Sequence, residues 1–375
     1  MENLIEKKQT DWVNAIFLLS TPLLTILFIY LYLKIDGFNP TILIPTIILY
    51  FITGLSITAG YHRLFSHRSF KAHPIVKLIF LIFGAATFQN SALKWCTDHR
   101  RHHLECDTDE DPYSIKKGFF YAHFGWLLEK EKEKYKNKFA PDLYNDTLVL
   151  LQHKFYLPLC ILVGFGLPIY IGYLMGSVLG GIAIIALFRI VYVHHMTFFI
   201  NSLCHMFGTQ PYSDLNTAKD SPVMAVFTYG EGYHNFHHQF QTDFRNGVRF
   251  FDFDPTKWTI TLLSYLGLAW DLRKTPDEDI LKAKILMDGK RLDRKWSHSQ
   301  EIKKKFDSII SDLAQTLDGI KTYKKELQAN TKRKNQQRIL EMKRNIALAK
   351  VNFKYKFKEL SYLKKRLSLS SNLNQ

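Results

Sequence analysis

Four long apolar runs constrain this chain more than any other feature. Val13–Leu33, Thr41–Gly60, Phe155–Leu174 and Ser177–Ser202 each approach the ~20 residues that an α-helix needs to cross a ~30 Å hydrocarbon core. Backbone polar groups in such a core must be satisfied within their own segment, so each run is predicted to be a spanning helix. The polar turn KIDGFNP joins the first two runs and MGSVLGG the last two, which makes two hairpins. Arg189, His194 and His195 interrupt the fourth run and are expected to face protein or a polar cavity, not lipid. The start, MENLIEKKQTD, carries no small-residue cleavage site, so the N-terminus is expected to stay attached.

The second feature is histidine. Nine of the fifteen fall into four groups: His62 and His67 in HRLFSH; His99, His102 and His103 in DHRRHH; His205 in NSLCH; and His234, His237 and His238 in HNFHH. In two of the groups the offsets are i, i+3, i+4, which share one face of a helix. His62 and His67 are five apart, about 140° out of register on a regular α-helix, and they can converge if the helix ends between them, as the change from apolar to RLFSHRSF suggests. Neutral imidazole suits zinc, iron, copper and nickel. One closed zinc site takes about four ligands, so nine histidines fit two metals with four or five each. How they divide stays open from spacing alone. The remaining six, His73, His123, His153, His194, His195 and His298, read as satisfied polar residues. The four cysteines form no CxxC pair and read as reduced and structural, with metal binding by Cys96 or Cys106 the minor alternative.

A fifth apolar run, Ile75–Leu93, is long enough to span by hydropathy. If it crossed, HRLFSH and DHRRHH would lie on opposite sides of the membrane. A shared site requires instead a helix buried in a cap or lying at the interface. Four spans then leave both termini and all four histidine groups on one side, and the Lys-rich stretch 130–138 and the basic tail make that side cytosolic. The formal charge of +16 is local: residues 281–375 hold 25 Lys and Arg against 9 Asp and Glu, and the rest of the chain is neutral. Such a tail on a membrane protein meets anionic lipid or solvent in preference to nucleic acid. The expected fold is therefore an all-α integral membrane protein with four transmembrane helices in two hairpins. A cytosolic helical cap (61–154 and 203–300) carries a histidine-ligated dimetal site. The membrane domain is expected to occupy residues 1–300, and 301–375 a basic, charge-rich helical tail. WTITLLSYLGLAW, too short to span, reads as a surface helix.

HRLFSH, DHRRHH and GEGYHNFHH, with NSLCH before the last, resemble the acyl-CoA delta-9 desaturase family of the stearoyl-CoA desaturase type. TAGYHRLFSHRSFKA, ALKWCTDHRRHH, GFFYAHFGWLL, PYSDLNTAKDSP and DFRNGVRFFDFDPTKW agree, so the resemblance runs from Tyr50 to Trp258. It implies O₂-dependent insertion of a cis double bond, at delta-9, into a saturated long-chain acyl-CoA. Two iron ions (Fe²⁺) would be held by the nine histidines, with Asn201 acting through a water; zinc could replace iron in an overexpressed sample. It further implies that Trp95, Gln89 and Thr197 hold the kinked acyl chain and that Tyr50 limits the length of its tail. Tyr50 lies about 18 Å before His62 at 1.5 Å per residue, and Gly54, one turn nearer, would leave the tunnel open at its own level. Glu231 and Asp98 are expected to orient histidines from behind.

Arg68, Lys71, Arg100, Lys116 and Lys117 are candidates for the CoA phosphates. Thr97, where relatives often carry a basic residue, and the EKEKEK after GWLL depart from the family pattern, so an acyl carrier protein or an intact lipid stays open as acyl donor. The tail has only His298, so no haem domain of two axial histidines is expected in the chain. Electrons are expected from a separate donor, of cytochrome b5 or ferredoxin type with its reductase. The location would be the endoplasmic reticulum in a eukaryote or the inner membrane in a bacterium. A membrane di-iron lipid hydroxylase and a non-catalytic membrane anchor are the rival readings.

Overall fold

The computed structural model describes residues 9–130, 139–295 and 300–372. His298 and all of the Lys-rich stretch except Lys130 lie outside the described residues. Four helices have the length and hydropathy to cross a membrane: Trp12–Ile35, Pro40–Ser66, Tyr156–Leu174 and Val178–Met206. Each overlaps a run expected from sequence. The second and fourth overrun their expected ends because HRLFSH and NSLCH continue the helix. Leu19, Leu23 and Ile26 of the first span and Ile44, Ile47 and Ile48 of the second are exposed, as lipid-facing rows must be.

The two hairpin turns meet at one end of the spans, where the Ser177 hydroxyl donates to the Asp36 carboxylate. Between the third and fourth spans the backbones nearly touch. A Cβ on Gly172 would lie 2.5 Å from Gly181 Cα, so this crossing exists only because both residues are glycine. Arg189 is buried as expected. Its guanidinium donates to the carbonyls of Ile185 (3.0 Å), Ala86 (3.2 Å) and Gly164 (3.2 Å), which ties the fourth span to the third and to the cap.

The ambiguous fifth run does not cross. It forms a helix of 12 residues, Pro74–Ala85, about 18 Å long and too short for the hydrocarbon core. A turn with Phe88 and Asn90 at φ +59° and +72° stops it, and Ser91 then caps the helix Ala92–Glu105 that carries DHRRHH. The two boxes therefore stay at one end. There Tyr61, Phe80, Leu93, Val149 and Ile260 form a shared core joining the end of the second span to helices Ala92–Glu105, Thr147–Lys154 and Pro255–Tyr265. Strands Lys71–Ala72 and Ala269–Trp270 pair antiparallel, Lys71 opposite Trp270, and close this cap. Pro255–Tyr265 is a surface helix, with Leu262 and Tyr265 exposed.

The chain divides into two compact units, one running to Thr209 and resuming over Leu215–Lys274, the other comprising Gln210–Asp214 and everything from Thr275. This division falls ahead of the residue-300 boundary that charge composition suggests. The helix Asp277–Lys295 contributes Ile285 to the core of the helices Gln300–Lys332 and Gln336–Asn372, alongside Phe306, Ile310, Leu313 and Leu360. Apolar packing, which composition hides, sets the boundary.

Replacing Gly172 with Val should force the third and fourth spans apart and cost about 1–3 kcal/mol or prevent assembly. Thermal unfolding of the purified protein in detergent checks this. The same change at Gly176, where no atom lies within 4 Å of an added Cβ, costs only the strain of its φ of +81°.

Candidate metal centre

Three helix ends and one helix face converge at the cap end of the spans. The second span is not α-helical at its end, nor does it stop between His62 and His67 as expected. From Ser56 to Ser66 it winds with i→i+5 hydrogen bonds, and the His67 amide donates to the His62 carbonyl at 3.0 Å. This wider winding narrows the register conflict of a five-residue spacing, since residue i+5 comes round much closer to residue i than on an α-helix. His205 comes from the end of the fourth span, His99, His102 and His103 from Ala92–Glu105, and the last three from the helix His234–Gln239.

The structure gathers all nine histidines into two clusters. His62, His67, His99, His103 and His237 form one, and His102, His205, His234 and His238 the other. His102 and His103, adjacent in sequence, go to different clusters, as do His237 and His238. Within the first, Nε2–Nε2 separations are 3.0 Å (His62–His237), 2.8 Å (His67–His99) and 2.9 Å (His237–His103). In the second they are 3.3 Å (His102–His238), 3.0 Å (His234–His205) and 3.1 Å (His238–His234). Spacings near 3 Å are edges of a polyhedron whose nitrogens lie about 2.1 Å from a central ion.

The other face of several rings is held in place. Glu231 Oε2 lies 3.0 Å from His62 Nδ1, and Asp111 Oδ1 lies 2.9 Å from His102 Nδ1. Tyr113 Oη lies 3.2 Å from His99 Nδ1, and Thr217 Oγ1 lies 2.8 Å from His205 Nδ1. A carboxylate facing Nδ1 fixes the proton there, which leaves Nε2 as a bare lone pair. Burial, reinforced by neighbouring imidazoles, pushes His67, His99, His103, His234, His237 and His238 well below the ordinary histidine range, so they are neutral. Lone pairs facing each other at 3 Å repel unless a cation lies between them. The donor set therefore fits two divalent ions.

Behind the rings lies a network that sequence reading found only in part. Arg63, fully buried, gives Nε and Nη2 to Glu231 Oε1 (3.2 and 2.9 Å), Nη1 and Nη2 to Asp254 (3.2 and 3.0 Å), and Nη1 to the Phe244 carbonyl (2.7 Å). Asn246 donates to Glu231 Oε2 at 2.6 Å, and Asp254 caps the helix Pro255–Tyr265 through the Lys257 amide. Burial alone would raise the Glu231 carboxyl; Arg63 and His62 outweigh it and hold it below the usual carboxylate range. Burial opposes ionisation of Asp111 in the same way, and His102 with the amides of Asp107 and Tyr113 overcomes it. Asp111 takes the place expected of Asp98, whose carboxylate is held by Lys94 at 2.8 Å. Asp107 braces His205 indirectly, accepting from the Thr217 amide and hydroxyl at 2.7 and 2.8 Å. Asp254 lies inside the quoted DFRNGVRFFDFDPTKW, and Asp107 and Asp111 lie just after DHRRHH, but nothing in their spacing tied them to a histidine.

A cavity of about 900 Å³, its open mouth included, reaches the clusters at His62, His99 and His234. Gln89, Trp95, Thr197 and Asn201 line it, with Phe17, Ile57, Phe88 and Phe198. The Trp95 ring stacks on His99 with centroids 4.9 Å apart. Asp98 also lines it, whereas Tyr50 and Gly54 do not. Tyr50 packs on the rings of Tyr229 (4.9 Å) and Tyr192 (5.3 Å), and its hydroxyl donates to the Phe227 carbonyl. A Cβ on Gly54 would lie 2.0 Å from Tyr229 Cζ, so this glycine makes room for a tyrosine rather than a tunnel.

The CoA candidates are also not at the cavity. Arg100 is engaged by Asp142 and the carbonyls of Phe65, Ser66 and Phe139. Lys117 donates to the carbonyls of Asp109 and Asp111, Lys71 pairs with Asp271 at 2.8 Å, and Arg68 lies 3.8 Å from Asp142. Lys116 is exposed. Among the other histidines, His123 contacts Ser202 and His195 (both 3.0 Å), His153 contacts Ser91, and His194 the Thr87 carbonyl. His73 caps Pro74–Ala85. All four cysteines are free; Cys106 lies beside Asp111 and His102.

The sequence model of one protein family, described as fatty acid desaturase, matches residues 38–261. The chain belongs to the fatty acid desaturase family. It is 39% identical over 290 residues to "Acyl-CoA desaturase 1" of Saccharomyces cerevisiae, which covers 76% of this chain and 56% of the yeast protein. It is also 39% identical over 289 residues to "Probable acyl-CoA desaturase" of Schizosaccharomyces pombe, covering 76% of this chain and 60% of that one. With "Stearoyl-CoA desaturase 5" of Bos taurus it shares 33% over 284 residues, 74% of this chain and 84% of the bovine protein. The chain thus spans somewhat over half the length of the two yeast relatives. The match to the family takes in every residue of both clusters and the Arg63–Glu231–Asp254 network.

Glu231→Gln keeps the shape but removes the charge behind His62, and should weaken metal binding at the five-histidine cluster by about 10–100-fold, read by competition with a chelator. Arg63→Met strands two buried carboxylates and should cost about 3–5 kcal/mol in unfolding.

Proposed function

We propose that the chain introduces a cis double bond, at delta-9, into a saturated long-chain acyl-CoA, using two irons held by the nine histidines. The observation that carries this reading is that one largely apolar cavity at the cap end of the spans is lined by histidines of both clusters. Two adjacent methylenes lose two hydrogens, and O₂ with two electrons and two protons becomes two waters. Bound iron supplies the oxidising power for C–H bonds that no side-chain acid or base can break.

The chain's own residues position and exclude. Trp95, Gln89 and Thr197 shape the cavity beside the clusters and are assigned to the bend of the acyl chain. Phe17, Ile57, Phe88 and Phe198 keep its tail out of water. Asn201 lines the cavity and is assigned to the four-histidine ion through a water, which completes the smaller donor set. Glu231 and Asp111 keep His62 and His102 in the tautomer whose Nε2 faces the metal. Electrons are assigned to a separate donor, and the cap to the cytosolic side by the positive-inside rule. The chemistry is assigned to residues up to Lys274 and no step of it to the tail.

Expression in a desaturase-deficient host should restore monounsaturated acyl chains with the cis bond at carbon 9, located by mass spectrometry of derivatised lipids. A hydroxylated product would make the chain a lipid hydroxylase instead. Truncation after Lys274 should retain both metals and turnover with an artificial reductant. Truncation after residue 300 should give a poorly behaved protein, because it strips Phe306 and Leu313 from Ile285.

A further inference from the structure

The helix Gln336–Asn372 has two apolar faces, and its own bundle uses only one. Met342, Phe353, Leu360 and Leu363 turn inward onto the other two helices of the unit. On the opposite side Leu340 (72% exposed), Leu348 (55%), Val351 (66%), Tyr355 (70%) and Tyr362 (68%) stand in solvent. At 3.6 residues per turn these five fall within about 80° of arc and run about 33 Å along the helix. They form a second stripe at i, i+3, i+4 spacing, where a helix serving only its bundle would be polar.

Charge is sorted along the same line. Between Gln336 and Lys365 the helix has nine basic side chains and two acidic ones. The acids of the neighbouring helices are drawn into interhelical pairs: Asp288 with Lys364 (2.9 Å), Asp312 with Lys356 (2.8 Å), Asp318 with Lys282 (2.5 Å) and Asp279 with Lys321 (2.6 Å). Lys343, Lys350 and Lys354 are exposed on one flank of the stripe, and Arg344 and Lys358, also exposed, lie within its arc. The face thus joins an apolar row with two tyrosines to a row of cations. A second copy of it would bring like charges together. A single-helix stripe of this length suits a planar surface, and four spans of the same chain keep a membrane surface within reach.

We infer that the outer face of Gln336–Asn372 is a membrane-surface site for anionic phospholipid headgroups. The stripe enters the boundary between headgroups and acyl chains, and the lysine flank meets the phosphates. This does not depend on the reaction proposed above.

The test uses the full chain, one copy per nanodisc, with a fluorescent amino acid at position 351 or, as a control, at the exposed Gln328 of the neighbouring helix. Lipids brominated near the headgroup quench by contact. In discs with about a third anionic phospholipid, position 351 should be quenched by roughly half and position 328 hardly at all; 1 M salt or fully zwitterionic discs should largely abolish the quenching. Joint Lys343→Glu, Lys350→Glu, Lys354→Glu and Lys358→Glu changes, all at exposed sites outside the core, should do the same with helicity unchanged. An unquenched 351 in anionic discs overturns the inference, as does quenching equal at both positions or insensitive to the four reversals. Shielding of 351 that needs an added acidic protein also overturns it, and makes the face a protein-docking site.

Discussion

Nine imidazoles packed into two clusters with their Nε2 atoms about 3 Å apart make two donor sets suited to cations, and the cap is built to impose that arrangement. Each ring gives up conformational freedom and hydration to be there, which the protein interior alone cannot repay. Two ions at these clusters would coordinate the second span, the fourth span and two cap helices together, and metal binding would then be coupled to folding.

Much of the remaining architecture serves that clamp. The i→i+5 winding at the end of the second span brings His62 and His67 to one cluster, and it places Arg63 behind Glu231, whose other oxygen faces His62, and against Asp254. Arg63 is a buried charge with partners at every donor, so it orients both acids without leaving either uncompensated. The short helix Pro74–Ala85 sets the level of the cap, because its stop before Ser91 brings DHRRHH back to the same end of the spans.

The spans and the gathering of the nine histidines at one end were legible because hydropathy and i, i+3, i+4 spacing are local signals. The division into five and four was not. His102 and His103 point to different clusters, which depends on where a helix axis lies between two sites and not on the order of residues. Asp98 was expected behind a histidine, yet it is the turn after Glu105 that brings an acid, Asp111, back against His102. Tyr50 and Gly54 were placed by depth along a helix. Depth leaves the azimuth undefined, and Tyr229, from a distant loop, fills the space that Gly54 leaves. The boundary of the second unit was obscured because charge composition changes later than apolar packing does.

Anomalous diffraction from crystals of the iron-loaded protein, collected on both sides of the iron absorption edge, tests the dinuclear reading most directly. Two peaks are predicted, one about 2.1 Å from the Nε2 atoms of His62, His67, His99, His103 and His237, the other equally close to those of His102, His205, His234 and His238. A single peak, or a second peak away from the four-histidine cluster, would contradict the account.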